Sequence, residues 1–289
     1  MTEKLLSVVI ANYNYGRFLA EAIESVLSQS CGDYELIIVD GGSTDDSVQI
    51  IKRYSHRIAW WVSEPDDGQA AAFNKGFRHA SGRFLTWLNA DDVLLPNVVM
   101  KLKKAVAANP NIEWFVGGCF WLDPSMKIIN CARARPFSEI RYREGIVSTW
   151  GPSSFFSKRL LDAVDGVDER FQLAMDTDLW LRFAYMENAR YVPFINYAWG
   201  LRLHPDAKTS GHNFLPDGTF DRCSSENERI KRSKHLGQMK IEGDMIRNYF
   251  KSKKGNALTW LLSISWVQVI AGRIDRMMFR GKYYKEYYK

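Results

Sequence analysis

The stretch SVVIANYNYGRFLAEAIESVLSQSCGDYELIIVD, residues 7–40, decides the fold class of this chain. Short apolar runs rich in β-branched residues, at residues 6–10 and 35–39, open and close it. Between them Leu19, Ile23 and Val26 recur at the spacing of one helix face. A strand, an amphipathic helix and a second strand in this order predict a βαβ unit with parallel strands.

The same alternation continues to about residue 118. The pattern predicts further strands at residues 58–62, 84–88 and 114–118, and a helix at residues 97–108 after Pro96. Later in the chain it is less regular, with strands predicted at 154–156 and 197–202, a helix at 176–186, and a basic, helical composition from 226. We therefore predict an α/β fold: a mixed, mostly parallel, Rossmann-like sheet flanked by helices, with a main domain at 1–225 and a helical C-terminal extension at 226–289.

The composition limits the number of domains and the kinds of partner that this protein can have. The chain has 289 residues, of which 46% are hydrophobic, enough for one main domain with an appendage. The net charge of +6 is a modest basic excess that suits a phosphate-bearing substrate or an anionic membrane surface. Only the C-terminal tail mixes basic and aromatic residues, so no nucleic-acid partner is expected.

Cysteines and apolar runs indicate the compartment. Four cysteines lie without CxxC spacing, which argues against a disulfide framework or a zinc site. The N-terminal apolar run is too short for a signal peptide, and residues 257–272 fall short of the roughly 20 apolar residues that cross a bilayer. We expect a cytoplasmic protein.

Polar clusters follow three of the predicted strands. Residues 12–14 follow the first strand, Asp40 the second, and residues 89–92, which include Asp91 and Asp92, the fourth. Ligands of open α/β sheets bind at the carboxyl ends of the strands, so one edge should gather these clusters. Adjacent carboxylates repel unless a hard cation such as Mg²⁺ or Mn²⁺ offsets their charge, although turn formation and helix capping also explain each aspartate.

Four blocks of this sequence carry a family resemblance. SVVIANYNYGRFLAEAIESVLSQS, YELIIVDGGSTDDS, SEPDDGQAAAFNKGFRHASGRFLTWLNADD and MDTDLWLRFA resemble, in order and in spacing, the successive blocks of the family 2 glycosyltransferases with the GT-A fold. The resemblance covers about residues 5–205. It implies an inverting enzyme with a nucleotide-binding half at 1–118 and an acceptor half at 119–225. The donor would be a nucleoside diphosphate sugar, with uridine the commonest nucleoside in the family, and the acceptor a saccharide or a lipid-linked saccharide.

The resemblance also implies residues that bind the donor and the metal. Asp91 would reach the ribose or the metal, Asp92 would bind the metal, and Asn89 stands where many relatives carry aspartate. An amide brings no negative charge, so a weaker metal site is expected. The remaining expected donor contacts are Ala11, Tyr13 and Asp40 around the nucleoside, and Asp67, Gln69, Asn74 and Lys75 near sugar or phosphate. From the residues alone, 69–76 also predicts an ordinary amphipathic helix with a surface lysine.

The last block implies the catalytic base. By the resemblance Asp176 accepts the acceptor's hydroxyl proton, and Met175 replaces the acidic residue that commonly precedes it, which favours a raised pKa. A helix N-terminus also favours carboxylates, so capping remains an alternative for Asp176. His204 is the expected third metal ligand, and Arg202 a phosphate contact, with a structural role open for both.

Two questions stay open from the sequence. Residues 257–289 mix aromatic and basic side chains, which is typical of a helix in a membrane interface, but packing on the domain or on a second subunit explains them as well. The competing functions are a nucleotidyltransferase, which would need a glycine-rich phosphate loop near the N-terminus, and a catalytically silent sugar-binding or scaffold protein.

Overall fold

The computed structural model describes residues 4–138, 151–171, 174–186, 189–204, 206–207 and 277–283. These residues form one sheet and six α-helices. The strands are β1 (Leu6–Asn12), β2 (Tyr34–Asp40), β3 (Trp60–Ser63), β4 (Phe84–Asn89), β5 (Val93–Leu94), β6 (Trp114–Leu122), β7 (Ile128–Ala132), β8 (Ser154–Ser157) and β9 (Tyr191–Arg202). The helices are α1 (Gly16–Leu27), α2 (Ser47–Tyr54), α3 (Gln69–Arg78), α4 (Val98–Ala108), α5 (Lys158–Asp162) and α6 (Met175–Tyr185).

The strand order of the sheet is β3-β2-β1-β4-β8-β6-β9-β5, with β7 paired to β6. Strands β1 to β4 are mutually parallel, while β8 runs antiparallel to both β4 and β6. Within β1, Asn12 lies level with Asp40 of β2, and Ala11 lies level with Asn89 of β4. The register therefore gathers the polar residues that end these strands at one edge, and the predicted α/β class with a mostly parallel N-terminal sheet is confirmed.

Each face of the sheet is covered by its own layer of apolar side chains. Helices α1, α2 and α4 cover one face, where Leu19, Ile23 and Val26 of α1 are fully buried. Helices α3, α5 and α6 cover the other face. There Trp87 of β4 stacks on Trp180 of α6 with ring centroids 5.3 Å apart and planes 2° from parallel. Such an aromatic pair adds about 0.5–1.5 kcal/mol to the burial of its area.

Several element bounds differ from the sequence expectations. Strand β3 begins at Trp60 because a 3₁₀ turn, Ser55–Arg57, precedes it. Strands β6 and β9 are longer than expected because they pair with each other over most of their length, a contact between distant segments. The short elements β5, β7 and α5 were not predicted. The expected division between residues 118 and 119 falls inside β6.

The C-terminal extension is described only at residues 277–283, where it packs on the domain. Phe279 lies 6.2 Å from Phe120 and 6.4 Å from Tyr197, centroid to centroid. The Ile128 N–H donates to the Lys282 carbonyl at 2.7 Å, and the Gly281 N–H donates to the Ile128 carbonyl at 2.6 Å. The rest of the extension predicted at 226–289 lies outside the described residues. No helix in the described part of the chain has both the length and the apolar character to cross a bilayer.

Candidate active site

A cavity of about 470 Å³ opens at the carboxyl ends of β1 and β4. Five of the residues expected to bind the donor line it: Ala11, Tyr13, Gln69, Asn89 and Asp91. The other lining residues are Asn12, Tyr15, Gly41, Pro65, Asp66, Gly68, Ala72, Ala90, Leu201 and Ala207. A cavity of this size and mixed lining fits a small-molecule ligand.

Asp91 and His204 meet beside this cavity. The Nε2 atom of His204 lies 3.0 Å from Oδ2 of Asp91. The imidazole is nearly fully buried and packs against the ring of Phe18, with centroids 4.6 Å apart. Its Nδ1 lies 3.5 Å from Nη2 of Arg17, which can only donate, so Nδ1 accepts and the Nε2 proton faces Asp91.

This pair fits a divalent cation. A carboxylate oxygen and an imidazole nitrogen that point at each other become ligands when a cation takes the place of the shared proton. In the part of the chain that the structure describes, no group of three metal-ligating side chains exists. Sites for Mg²⁺ and Mn²⁺ on nucleotides commonly take only one or two protein ligands, with phosphate and water as the others.

Asp92 is engaged elsewhere. Its carboxylate is fully buried and does not line the cavity. Oδ1 accepts from the Arg202 backbone N–H at 3.0 Å, and Oδ2 accepts from Nδ2 of Asn89 at 2.8 Å. Burial, and next the charge of Asp91, raise the pKa of Asp92. We therefore do not assign Asp92 to the metal, contrary to the sequence expectation, and read it as the residue that holds the 89–92 turn against β9.

Arg202 has the same structural task. Its Nε donates to the Asp91 carbonyl at 2.9 Å and its Nη2 pairs with Glu21 at 2.6 Å, while its guanidinium lies over the ring of Phe18. The side chain is 6% exposed and does not line the cavity. It fixes the backbone of Asp91, and through it the direction of the carboxylate.

Asp40 is likewise enclosed. It is fully buried, does not line the cavity, and accepts hydrogen bonds from Asn12 at 2.6 Å, Ser63 at 2.6 Å, and the Ser43 hydroxyl at 2.5 Å and N–H at 3.0 Å. The sequence expectation that it lines the nucleoside pocket is not met here. Its hydrogen bonds tie the ends of β1, β2 and β3 together.

Tyr13 and Asp66 line the cavity near the end of β1. The Tyr13 side chain is 60% exposed. Asp66 accepts from the Gly68 N–H at 2.9 Å, and its Oδ2 would lie 3.0 Å from a Cβ on Gly41, so glycine at 41 leaves room for the carboxylate. The neighbouring Asp67 is exposed and absent from the lining. The sequence expectation named Asp67 for a contact with sugar or phosphate, whereas Asp66, its neighbour in the PDDG stretch, is the residue that lines the cavity.

The two remaining α3 residues contact other parts of the chain. Asn74 bonds to Val167 and Glu169, and Lys75 pairs with Glu64 at 2.9 Å. Neither lines the cavity. Of the expected α3 contacts, Gln69 lines the cavity and Asn74 and Lys75 do not.

Ring contacts locate helix α6, whose first turn carries Asp176. Trp180 stacks on Trp87, near the end of β4, whereas Phe183 contacts Phe156, which pairs with Leu85 earlier in β4. The ring contacts of α6 therefore lead from Trp87 of β4 toward Phe156 of β8, and Asp176 lies one turn before Trp180; Asp176 does not line the cavity. Burial raises the pKa of the half-buried Asp176, against the opposing effect of the Thr177 N–H, which donates to it at 2.7 Å. Asp178, in the same turn, is instead paired with Arg182 at 2.7 Å.

Comparison with known proteins gives the family. The model of glycosyl transferase family 2 matches residues 7–120. A glycosyltransferase of Mycobacterium tuberculosis is 33% identical over 184 residues, which are 62% of this chain and 68% of that protein. The chain belongs to glycosyl transferase family 2. A glycosyltransferase of Nostoc sp. is 41% identical over 100 residues, but this match spans only 34% of this family 2 glycosyltransferase and 31% of the relative.

Solved structures show the fold. Staphylococcus aureus TarS 1-349, in complex with UDP-GlcNAc, aligns with a TM-score of 0.59 at 15% identity, over 96% of this chain and 81% of that one. The mannosyltransferase PcManGT of Pyrobaculum calidifontis, in complex with GDP-Man and Mn²⁺, aligns with a TM-score of 0.53 at 15% identity, over 99% of this chain and 84% of that one. The family 2 glycosyltransferase described here has the GT-A fold that the sequence predicted.

Proposed function

We propose that this family 2 glycosyltransferase inverts the anomeric centre as it transfers a sugar from a nucleoside diphosphate to a hydroxyl of a saccharide or lipid-linked saccharide. The observation that carries the proposal is the Asp91–His204 pair, 3.0 Å apart beside a cavity at the carboxyl ends of the parallel strands. The TarS and PcManGT complexes with UDP-GlcNAc and GDP-Man support a nucleotide sugar, and we take UDP as the first donor to test.

The nucleoside would lie between Tyr13 and Asp66. The exposed phenol ring of Tyr13 offers a stacking surface, and the Asp66 carboxylate offers an acceptor for a base N–H. Ala11 lines the same wall. Gln69 and Asn89, joined at 2.8 Å, present amide groups that suit ribose or sugar hydroxyls.

Asp91 and His204 would hold Mn²⁺ or Mg²⁺ on the diphosphate. When bound, the cation neutralises the charge that develops on the leaving nucleoside diphosphate. The chain contributes a fixed pair of ligand atoms: Arg202 holds the Asp91 backbone, and Phe18 and Tyr15 hold the imidazole. The Mn²⁺ complex of PcManGT supports a cation in this type of fold.

Asp176 would be the general base. Its carboxylate accepts the proton of the acceptor hydroxyl while that oxygen attacks the anomeric carbon from the face opposite the departing diphosphate, which inverts the configuration. A pKa raised by burial makes the carboxylate a stronger proton acceptor than an exposed aspartate.

A panel of nucleotide sugars with Mn²⁺ and simple saccharide acceptors tests the function, with release of the nucleoside diphosphate as the readout. We expect Asp176→Asn to lower kcat by about 10²–10⁴-fold, the usual contribution of a general base. Asp162→Asn, at an exposed position in α5, is the matched control and should leave the rate unchanged. If no donor reacts and none stabilises the wild-type protein against heat, the enzymatic proposal is rejected. The catalytically silent alternative is then favoured.

Membrane contact and self-association through 257–289 also remain proposals. In the described segment, Met277 and Met278 are 85% and 52% exposed while the neighbouring Phe279 anchors the turn to β6 and β9. Flexible methionines beside the basic Lys282 suit a membrane interface. Co-sedimentation with anionic and neutral vesicles, compared with the oligomeric state in solution for Met277→Ser/Met278→Ser, separates lipid contact from a dimer.

A further inference from the structure

The side-chain amide of Asn74, in α3, binds the backbone of Val167 in both directions. Nδ2 donates to the Val167 carbonyl at 2.8 Å, and Oδ1 accepts from the Val167 N–H at 2.9 Å. Nδ2 also lies 2.8 Å from Oε1 of Glu169. Val167 itself is buried, so the loss of this amide would leave a donor and an acceptor of its backbone without partners in an apolar place.

The backbone before Val167 is shaped for this contact. Gly166 has φ +77°, a left-handed conformation that side chains disfavour. A Cβ at Gly166 would also lie 2.9 Å from Oδ1 of Asn74. Two independent features, the conformation and the close approach, thus require glycine where the amide docks.

Helix α6 holds the same segment from its other side. Nη1 of Arg182 donates to the carbonyls of Val164 and Gly166 at 2.7 and 2.8 Å, and Nε donates to Asp178 at 2.7 Å. Residues 164–167, which we call the clasp segment, are therefore bound by Asn74 of α3 and by Arg182 of α6.

The two helices that the clasp segment joins carry the two sides of the proposed reaction. Gln69, at the start of α3, lines the donor cavity, and Asp176 lies in the first turn of α6. Between the helices the contacts are apolar, through Phe73, Trp87 and Trp180. Ring contacts hold elements together, but hydrogen bonds with fixed directions define their register more narrowly.

We propose that Asn74 is a positioning residue that sets Asp176 relative to the donor cavity through the clasp segment and Arg182. The inference rests on the proposed role of Asp176 as base. It also replaces the sequence expectation that Asn74 touches the sugar or the phosphates. Misplacement of a reacting group by about 1 Å can cost about 10²-fold in rate, so loosening the clasp is expected to slow transfer without weakening donor binding.

The test compares Asn74→Ala and Asn74→Asp with the wild-type protein in two assays: kcat of transfer, and the Kd of the nucleoside diphosphate with Mn²⁺ by calorimetry. Asn74→Asp keeps the bond from the Val167 N–H but turns a carboxylate oxygen toward the Val167 carbonyl and Glu169. We expect kcat to fall about 10–100-fold in both variants. The Kd should stay within about twofold of the wild-type value, since Asn74 does not line the cavity.

Controls separate positioning from general loss of stability. Arg78→Ala, at an exposed position of the same helix, should change neither assay. Ile50→Val, in α2 on the other face of the sheet, lowers the melting temperature through core packing and should leave kcat unchanged. Arg182→Lys should repeat the Asn74→Ala effect, and the double variant should be no slower than the more affected single variant, because both act through one segment.

Hydrogen exchange gives a readout that does not depend on activity. In Asn74→Ala, exchange should accelerate at Val167 and in the first turn of α6, where the Asp178 N–H donates to the Ala174 carbonyl. An inactive wild-type enzyme would reject the proposed function while this measurement still decides whether the clasp couples to α6. A kcat at the wild-type level, a nucleotide Kd weakened tenfold, or faster exchange confined to residue 167 would each overturn the positioning role.

Discussion

The side chain of Asn89 bonds to Asp92 and Gln69 at once. Its Nδ2 donates to the buried carboxylate of Asp92 at 2.8 Å, and its Oδ1 accepts from Gln69 at 2.8 Å. The amide offers both a donor and an acceptor here, whereas an ionised carboxylate offers acceptors only. The departure from the aspartate common in relatives therefore has a local reason: a carboxylate at 89 would face another buried carboxylate.

The first prediction concerns Asn89→Asp. The substitution removes the donor to Asp92 and adds a like charge beside it, so we expect the free energy of unfolding to fall by about 1–3 kcal/mol. Urea denaturation measures it. Asn97→Asp adds the same charge at an exposed helix start and should change stability by about 0.5 kcal/mol at most. An Asn89→Asp protein as stable as the wild type would show that the contact with Asp92 contributes nothing.

The second prediction is the pH dependence of transfer. Burial raises the pKa of Asp176, and the base must be ionised to accept a proton. As the pH falls through this raised pKa, kcat/KM should drop, and the acid limb should lie above the ordinary aspartate pKa of about 3.9. Rate profiles with a fixed Mn²⁺ concentration locate the limb. A limb at or below the ordinary value would argue that another group is the base.

The third prediction is that Asp176→Asn has opposite effects on stability and on transfer. Because the pKa of Asp176 is higher in the folded than in the unfolded chain, its contribution to stability is complete below the unfolded pKa and declines as pH rises through the folded value. Asp176→Asn cannot ionise, so it should gain stability relative to the wild type as the pH rises over this interval, while transfer is lost. Thermal denaturation of both proteins at pH 4 and pH 8 checks the sign. The melting temperature of Asp176→Asn minus that of the wild type should be larger at pH 8 than at pH 4, and a smaller difference at pH 8 contradicts the prediction.

The parallel half of the fold could be predicted from sequence because its signals are local. Apolar runs and one helical face, as in residues 7–40, specify β1, α1 and β2 without distant contacts. Strand β9 could not be bounded this way, since its extent depends on pairing with β6, 77 residues earlier by the register of Trp114 with Tyr191. Short elements such as β5 have too few residues to show a hydrophobic periodicity.

The site could be predicted to the level of segments but not of side-chain direction. The clusters after β1, β2 and β4 do meet at one edge, as predicted. Which carboxylate of an adjacent pair faces the cavity depends on backbone twist and on partners far away in sequence. Asp92 points inward because its carboxylate accepts a hydrogen bond from the Arg202 backbone N–H, 110 residues later in the sequence. The neighbouring Asp91 points toward the cavity, where its partner His204 is also distant in sequence.

The fourth prediction concerns the cation. Mn²⁺ with UDP should raise the melting temperature of the wild type, and Asp91→Asn or His204→Ala should abolish the Mn²⁺-dependent part of that rise, because each removes one of two protein ligands. Thermal shift with and without EDTA measures it. Asp162→Asn serves as the control with an equal loss of charge. A Mn²⁺ response preserved in both ligand variants would place the cation elsewhere.

The fifth prediction separates Asp40, which the sequence analysis assigned to the nucleoside, from Asp66, which it did not consider. Asp66 lines the cavity and accepts one hydrogen bond, from the Gly68 N–H. Asp40 is enclosed and accepts hydrogen bonds from Asn12, Ser43 and Ser63. Asp66→Asn should weaken nucleotide binding by about tenfold, the cost of about 1.4 kcal/mol, and leave the melting temperature near that of the wild type. Asp40→Asn should lower the melting temperature more than it weakens nucleotide binding. An amide nitrogen placed among hydrogen-bond donors leaves buried groups unpaired, which costs about 1–3 kcal/mol of stability.

Calorimetric Kd values for UDP and GDP, set beside melting temperatures, distinguish the two cases. A carboxylate that accepts a base N–H is replaced poorly by an amide for either nucleoside, so the loss in Asp66→Asn should appear with both nucleotides if Asp66 reads the base. Should Asp40→Asn keep its melting temperature and lose nucleotide affinity instead, the enclosed network opens on binding, and Asp40, not Asp66, is the residue that contacts the nucleoside.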